Sequence, residues 1–194
     1  MNPRLTKISG FAAVAALAIT TAGVALAADS TGNPAPAAQP AKADNLTDAQ
    51  ILGVTDVANT GEVQQANVAE TRARSEKVKS FAQMMAKDHE DAKNKGLSIA
   101  KQLGITLATS AKSAEVQKDN ADVLKKLHNA SADDFDKTYL KAQISAHEDT
   151  LKLLDSDLIP KASTPQVKSL LTDMRAHVEH HLSVAHSDLD TLNK

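Results

Sequence analysis

The chain has 194 residues, a length that suits one domain with short appendages. It contains 22 Lys and Arg, 24 Asp and Glu, 7 His, no Cys and no Trp. Without Cys there can be no disulfide, thiolate metal site or thiol nucleophile. With a net charge of -2 and only 3 Phe and 1 Tyr, the chain lacks the basic surface and stacking side chains that nucleic-acid binding requires.

The first segment has the features of a secretory signal peptide. Arg4 and Lys7 precede an apolar run from Ile8 to about Leu26, and Ala25–Ala27 forms an A-x-A cleavage site. The pattern predicts a signal peptide over residues 1–27 that is cleaved after its last residue. The mature protein is then periplasmic or secreted, with no stable membrane anchor. The alternative is an uncleaved anchor, because the run is near the lower length for spanning a bilayer.

The remainder divides into a tether and one helical domain. Residues 28–45 are rich in Ala, Pro and small polar residues, which predicts a disordered linker. Residues 46–194 carry apolar residues at helical spacing, with N-cap and C-cap signals between the segments. Two short-loop hairpins with a longer connection predict an all-α antiparallel four-helix bundle, with a short extra helix in the connection between the second and third helices. The predicted helices cover about residues 47–74, 75–103, 113–128, 131–160 and 164–192.

Polar residues interrupt the inward stripe of each long helix. These residues are Glu62, His89, His147, and His177 with His181. At about 1.5 Å of rise per residue, Glu62 and His89 lie about 18 and 22 Å from the turn that joins their helices. His147 and His177 each lie 13 residues from the turn between the last two helices. All five positions therefore fall in one layer of the predicted bundle, within about one helical turn.

A buried layer of imidazoles and a carboxylate can be satisfied in two ways. One divalent transition metal (Zn, Fe, Mn or Cu) could take Glu62, His89, His147, His177 and His181 as its ligand set. Alternatively, these side chains could hydrogen-bond one another as a metal-free polar core in a structural or interaction module of the cell envelope. The sequence favours the metal and does not identify a protein partner.

Catalysis is a third, less favoured hypothesis. Three His and one Glu could leave a coordination position open for water or substrate. However, the sequence contains no nucleophile elbow, P-loop or dinucleotide fingerprint. Asp88 and Glu148, which flank the core His residues, are expected to face neighbouring residues or solvent. His180 and His186 are expected at the surface.

Four short segments together carry a family resemblance. They are Gly61–Val63, Val78–Met85 leading into Asp88-His89, Phe135–Leu140 leading into His147-Glu148, and His181-Leu182 with Ala185. In this order they resemble the exported bacterial family called Domain of Unknown Function 4142, over about residues 47–192. The resemblance implies a ferritin-like helical fold, with recurrent polar core positions at Glu62, His89, His147 and His181.

The chain departs from this family at Ala176, where Pro is usual, and His177 is additional. A ferritin-like fold also suggests a di-iron carboxylate centre, which needs four carboxylates and two Glu-x-x-His motifs. The sequence contains no Glu-x-x-His motif, and only Glu62 is a convincing core carboxylate. Ferroxidase or oxygenase chemistry is therefore not expected.

Overall fold

A computed structural model describes residues 45–194. The predicted signal peptide, and all of the predicted tether except Asn45, lie outside the described residues. The described chain is helical and contains no strands, which confirms the all-α class. None of its helices combines the length and apolarity needed to cross a bilayer. The helical elements are α1 (Asp48–Arg72), α2 (Glu76–Leu103), α3 (Ala111–Asn129), α4 (Phe135–Leu153), a π-helical turn (Leu154–Leu158), α5 (Ile159–Lys161) and α6 (Pro165–Leu192).

The core consists of two hydrophobic clusters on either side of a polar layer. In the packing of the long helices, α1 contacts α2 and α3, α4 contacts α6, and α2 contacts α6. One cluster includes Ile51, Leu154 and Leu170, and the other includes Phe81, Tyr139 and Ala185. Between the two clusters, the buried positions of the helices include Glu62, His89, His147 and His181. The sequence pattern thus correctly places these four residues inside the protein.

The helix ends are held by caps that sequence spacing only partly reveals. Gly104, with φ of 65°, adopts the left-handed conformation that ends α2. The predicted N-cap Ser75 makes no side-chain cap hydrogen bond. Its backbone N–H instead donates to the carboxylate of Asp136 on α4, at 2.8 Å. A similar long-range cap occurs at α6, where the Ser163 N–H donates to Asp48 of α1 at 2.8 Å. These caps join helices that are distant in sequence.

The helical path continues past the predicted end at Pro160. The N–H of Ile159 donates to the carbonyl of Leu154, five residues earlier, which is the pattern of a π turn. The path then runs to Lys161. Proline has no N–H, and in a regular α-helix its ring clashes with the carbonyl four residues earlier. The wider turn just before Pro160 fits a chain that remains helical around this residue.

Helix α3 lies closely against α1. A Cβ on Gly61 would come within 2.0 Å of the Asn120 side-chain nitrogen, so this approach requires glycine. The Asn120 amide donates to the Val57 carbonyl at 3.1 Å and accepts from Gln65 at 3.2 Å. Gln65 in turn accepts from Gln143 of α4 at 2.8 Å. These hydrogen bonds connect α3, α1 and α4 beside the polar layer.

Candidate metal centre

Three buried histidines from three helices converge in the polar layer. His89 belongs to α2, His147 to α4 and His181 to α6, and their ring centroids are 5.2 to 5.6 Å apart. One nitrogen from each ring lies within 4.8 Å of a nitrogen from both others. We call these residues the buried triad. Nitrogen atoms that face one another at this spacing can bind one metal ion.

Each ring of the buried triad has a hydrogen-bond acceptor on one side. His89 Nδ1 lies 2.9 Å from Asn59 Oδ1, and His147 Nδ1 lies 3.0 Å from the carbonyl oxygen of Gln143. His181 Nε2 lies 3.2 Å from the Asp88 carboxylate. Because these oxygens only accept, the three contacts are hydrogen bonds in the tautomers that carry the protons on His89 Nδ1, His147 Nδ1 and His181 Nε2. The contacts favour these tautomers, and such acceptors are the usual support for metal-binding imidazoles.

The remaining three nitrogens have lone pairs and no protein donor. His147 Nε2 and His181 Nδ1 lie 3.3 Å apart. With their rings in these tautomers, no proton lies between them. His89 Nε2 is buried and has no hydrogen-bond partner among residues 45–194. Two nitrogens bound tetrahedrally to one zinc, at about 2.05 Å each, would be about 3.3 Å apart. These lone pairs repel one another, whereas a bound cation would attract all three.

Burial keeps the triad neutral at ordinary pH. It lowers the pKa of His147 to about 3, with the neighbouring His181 acting in the same direction. Burial likewise lowers the pKa of His89 well below its usual range. The pKa of His181 is also lowered by burial, although Asp88 opposes the shift. Since metals bind the neutral form of imidazole, the triad is in its ligating state without competition from protons.

Glu62 lies in the same polar layer, but its carboxylate is not among the ligand atoms of the buried triad that lie within 4.8 Å of one another. It lines a cavity of about 380 Å³ together with Asn59, His89 and His147. Exposed residues of α3 also line this cavity, including Glu115, so the cavity extends to the surface. One Glu62 oxygen is buried without a partner. Burial raises the pKa of Glu62 to about 7, against a smaller opposing effect of a hydrogen bond from Gln143.

His177 lies outside the buried triad. The helical spacing predicts it on the inward stripe of the last helix, but the side chain is exposed and Val178 is buried there instead. The buried positions of α6 run from Met174 through Val178 to His181 and Ala185, and this spacing turns His177 to one side. His177 forms a second group of possible ligands with Asp88 and His181, whose ligand atoms also lie within 4.8 Å of one another.

Two residues that support the triad were not predicted from the sequence, and a third was expected only to face neighbouring residues or solvent. Asn59 lies three residues before Glu62, on the same face of α1, and this spacing was the available signal. Gln143 lies one turn before His147, and Asp88 immediately precedes His89. Side-chain pairing across helices, which determines these roles, is not encoded in the periodicity of one segment.

Comparisons with known proteins agree with this helical architecture. Residues 32–187 match the family described as "Domain of unknown function (DUF4142)", which confirms the resemblance inferred from sequence. No match was found among curated proteins. A solved structure, "CopM in the Cu(II)-bound form", is similar with a TM-score of 0.59 and 14% sequence identity. The alignment covers 76% of this chain and 99% of that chain. At this identity the likeness shows a shared fold.

Proposed function

We propose that this chain, a member of the domain of unknown function (DUF4142) family, binds one transition-metal ion through His89, His147 and His181. One observation carries the proposal: His147 Nε2 and His181 Nδ1 face each other at 3.3 Å, while the opposite nitrogens of the two rings face the Gln143 carbonyl and the Asp88 carboxylate. In the other tautomer of His181, its Nδ1–H would donate to His147 Nε2, but its Nε2 would then face the Asp88 carboxylate without a proton. In the tautomer that donates to Asp88, His147 Nε2 and His181 Nδ1 are two ligands prepared for a cation.

The donor set favours copper or zinc over harder ions. Imidazole nitrogen suits Zn, Cu, Fe and Ni, whereas Mg and Ca prefer oxygen ligands. At a given nitrogen site, Cu²⁺ binds more tightly than other divalent ions of the first transition series. The structurally similar CopM is described in a Cu(II)-bound form. We therefore take Cu²⁺ as the first ion to test and Zn²⁺ as the second.

Glu62 is the proposed anionic partner of the bound ion. It shares the cavity with His89 and His147, and its pKa of about 7 leaves it readily ionised. A cation in the triad would lower that pKa and favour the carboxylate. His177, the fifth residue of the predicted site, belongs in this proposal to the second group of possible ligands, with Asp88 and His181.

The proposed setting is outside the cytoplasm. The segment before the described residues has the charged, apolar and A-x-A parts of a signal peptide. We propose that the mature protein is periplasmic or secreted, and that its long helices form an antiparallel, ferritin-like four-helix bundle. In that setting the buried triad would bind or buffer a transition metal.

A second candidate is a structural or interaction module with a metal-free polar core. The hydrogen-bonded chain through Asn120, Gln65 and Gln143 supports it, because this network needs no ion. The two candidates differ in what a chelator does. A metal-free core melts at the same temperature with and without EDTA, whereas a metalloprotein loses stability when its ion is removed.

Equilibrium dialysis against Cu²⁺ and Zn²⁺, with protein purified without a His tag, tests the metal proposal. We expect one tightly bound ion per chain in the wild type. We expect its loss in the double variant His89→Ala, His147→Ala. The matched control is His180→Ala, His186→Ala, which removes two exposed histidines of α6 and should leave tight binding intact. Undiminished binding in the triad variant would refute the proposal.

A further inference from the structure

We propose that Asp88, His177 and His181 form an outer cation site through which the buried triad is loaded. This inference rests on the proposed function, because a loading site implies a destination. The three residues each offer a ligand atom within 4.8 Å of the others. We call them the outer group. It shares His181 with the buried triad, so the two groups are directly connected.

His181 separates the outer group from the buried triad. Its Nε2 faces Asp88 at 3.2 Å, and its Nδ1 faces His147 at 3.3 Å. The His181 side chain is 1% exposed, that of Asp88 is 22% exposed, and His177 is exposed. A cation arriving from solvent can therefore meet His177 and Asp88 before it reaches any ligand of the buried triad on this side.

A neutral His181 ring has one lone pair, so it can serve one group at a time. With the proton on Nε2, that N–H donates to Asp88 and Nδ1 is free for the buried triad. With the proton on Nδ1, that N–H donates to His147 Nε2, and Nε2 is free for the outer group. In the second tautomer the Nε2 lone pair faces the Asp88 carboxylate at 3.2 Å, and two such acceptors need a cation between them. The second tautomer therefore fits a loaded outer group, and the first fits a loaded triad.

Inward transfer exchanges one nitrogen of His181 for the other. The ion would leave Nε2 and bind Nδ1, the Nδ1 proton would pass to water, and Nε2 would take up a proton from water. The ring is neutral before and after, and the oxidation state of the ion does not change. The final ligands are three buried imidazoles, whereas the outer group is partly open to solvent. The ion therefore loads at the outer group and resides in the triad.

Loading kinetics with Co²⁺ test the role of His177. The visible absorption of Co²⁺ reports nitrogen ligation, and release can be followed into excess EDTA. A loading site lowers the barrier for entering and leaving equally, so His177→Ala should slow loading and release by the same factor. We expect about tenfold or more, the factor given by a barrier higher by about 1.4 kcal/mol. The equilibrium Kd should not change. His180→Ala, which alters the exposed neighbour, is the matched control.

Two results would overturn the loading role. Unchanged rates in His177→Ala would mean that the ion takes another route, such as the cavity that reaches His89. A weaker Kd caused by faster release alone would make His177 a ligand of the resident ion rather than of a loading site.

A second experiment separates this inference from the proposed function. The variant His89→Ala, His147→Ala retains the complete outer group, so it should bind Co²⁺ weakly, and adding His177→Ala should abolish that binding. Absence of the weak binding would overturn the outer site and leave the triad proposal standing. If the weak, His177-dependent binding occurs and the wild type binds no more tightly, the triad proposal fails and the outer site stands.

Discussion

His147 Nε2 and His181 Nδ1 lie 3.3 Å apart, and the opposite nitrogens of both rings face hydrogen-bond acceptors, the Gln143 carbonyl and the Asp88 carboxylate. When both rings donate to these acceptors, the two facing nitrogens carry lone pairs and neither receives a hydrogen bond, which is unfavourable inside a protein. The third nitrogen, His89 Nε2, is also without a partner. A transition-metal ion would satisfy all three nitrogens at once.

Metal removal should therefore destabilise the protein. An ion that binds only the folded state contributes about 2.7 kcal/mol when its free concentration is 100 times the Kd. For a domain of this size, that shifts the Tm by about 2–4 °C per kcal/mol. We expect calorimetric melts in excess Zn²⁺ to exceed melts in EDTA by several degrees. The variant His89→Ala, His147→Ala should melt at nearly the same temperature in both, and a wild type that does so would count against the metal.

Protonation of His147 should weaken the metal-free protein in acid. The unfolded side chain takes up a proton below its ordinary pKa of 6.5, whereas the folded side chain does so only near pH 3. Stability from this residue is thus fully present above pH 6.5 and is lost as the pH falls. The loss is about 2 kcal/mol at pH 5.

Urea unfolding in EDTA at pH 7.5 and 5 measures this effect. His147→Gln cannot titrate, so the stability advantage of the wild type over this variant should shrink by about 2 kcal/mol between the two pH values. An advantage that stays constant would show that His147 is not held neutral by burial.

The opposite sign is expected for Glu62. Its folded pKa of about 7 exceeds its ordinary value of 4.5, so folding favours the protonated acid. The resulting cost develops as the pH rises from 4.5 to 7 and reaches about 3 kcal/mol above that range. Glu62→Gln should therefore stabilise the metal-free protein at pH 8.5 and change it little at pH 4.5.

Urea unfolding in EDTA at both pH values again provides the measurement. Glu115→Gln, at an exposed position lining the same cavity, is the matched control and should show no such pH-dependent gain. If Glu62→Gln is no more stabilising at pH 8.5 than at 4.5, the carboxyl is not held protonated by burial.

Gly61 is predicted to be essential for the contact between α1 and α3. In Gly61→Ala the new Cβ would meet the Asn120 side chain, whose hydrogen bonds to Val57 and Gln65 resist displacement. Overpacking of this kind costs about 1–3 kcal/mol. The control is Gly96→Ala, where the nearest side-chain atom is 3.7 Å away.

Because alanine is the better helix former, Gly96→Ala should stabilise by about 0.5–1 kcal/mol. Denaturant unfolding of both variants gives the comparison. Equal gains in stability from the two substitutions would show that α3 does not pack tightly at Gly61.

The sequence predicts well those features that the residue pattern of a single helix determines, such as which side chains face inward. The periodicity of α2, α4 and α6 identified His89, His147 and His181 as inward residues, and helix rise placed them at one depth. It also placed His177 on the inward stripe, where the structure shows an exposed side chain, because residues one turn apart lie near the same face of a helix. The burial of Val178 and not His177 depends on how α6 is rotated against α2 and α4, which a single periodic segment does not specify.

Contacts between helices were less predictable. The pairing of Asn59 with His89 requires the register of α1 against α2, and helix rise gives such a register only to within about one turn. The cap of Ser75 by Asp136 likewise depends on tertiary packing. Pro160 is a reliable local signal for disturbed hydrogen bonding, but whether the chain bends, ends or forms a π turn depends on the neighbouring core, including Leu154 and Leu158.

Metal stoichiometry is the most direct test of the central claim. The protein should be purified without a His tag and analysed by plasma mass spectrometry, as isolated and after exposure to Cu²⁺ or Zn²⁺ followed by desalting. A metal site formed by the buried triad predicts about one ion per chain in the wild type and none retained by His89→Ala, His147→Ala. A wild type that is isolated without metal and retains none after exposure to either ion would contradict it.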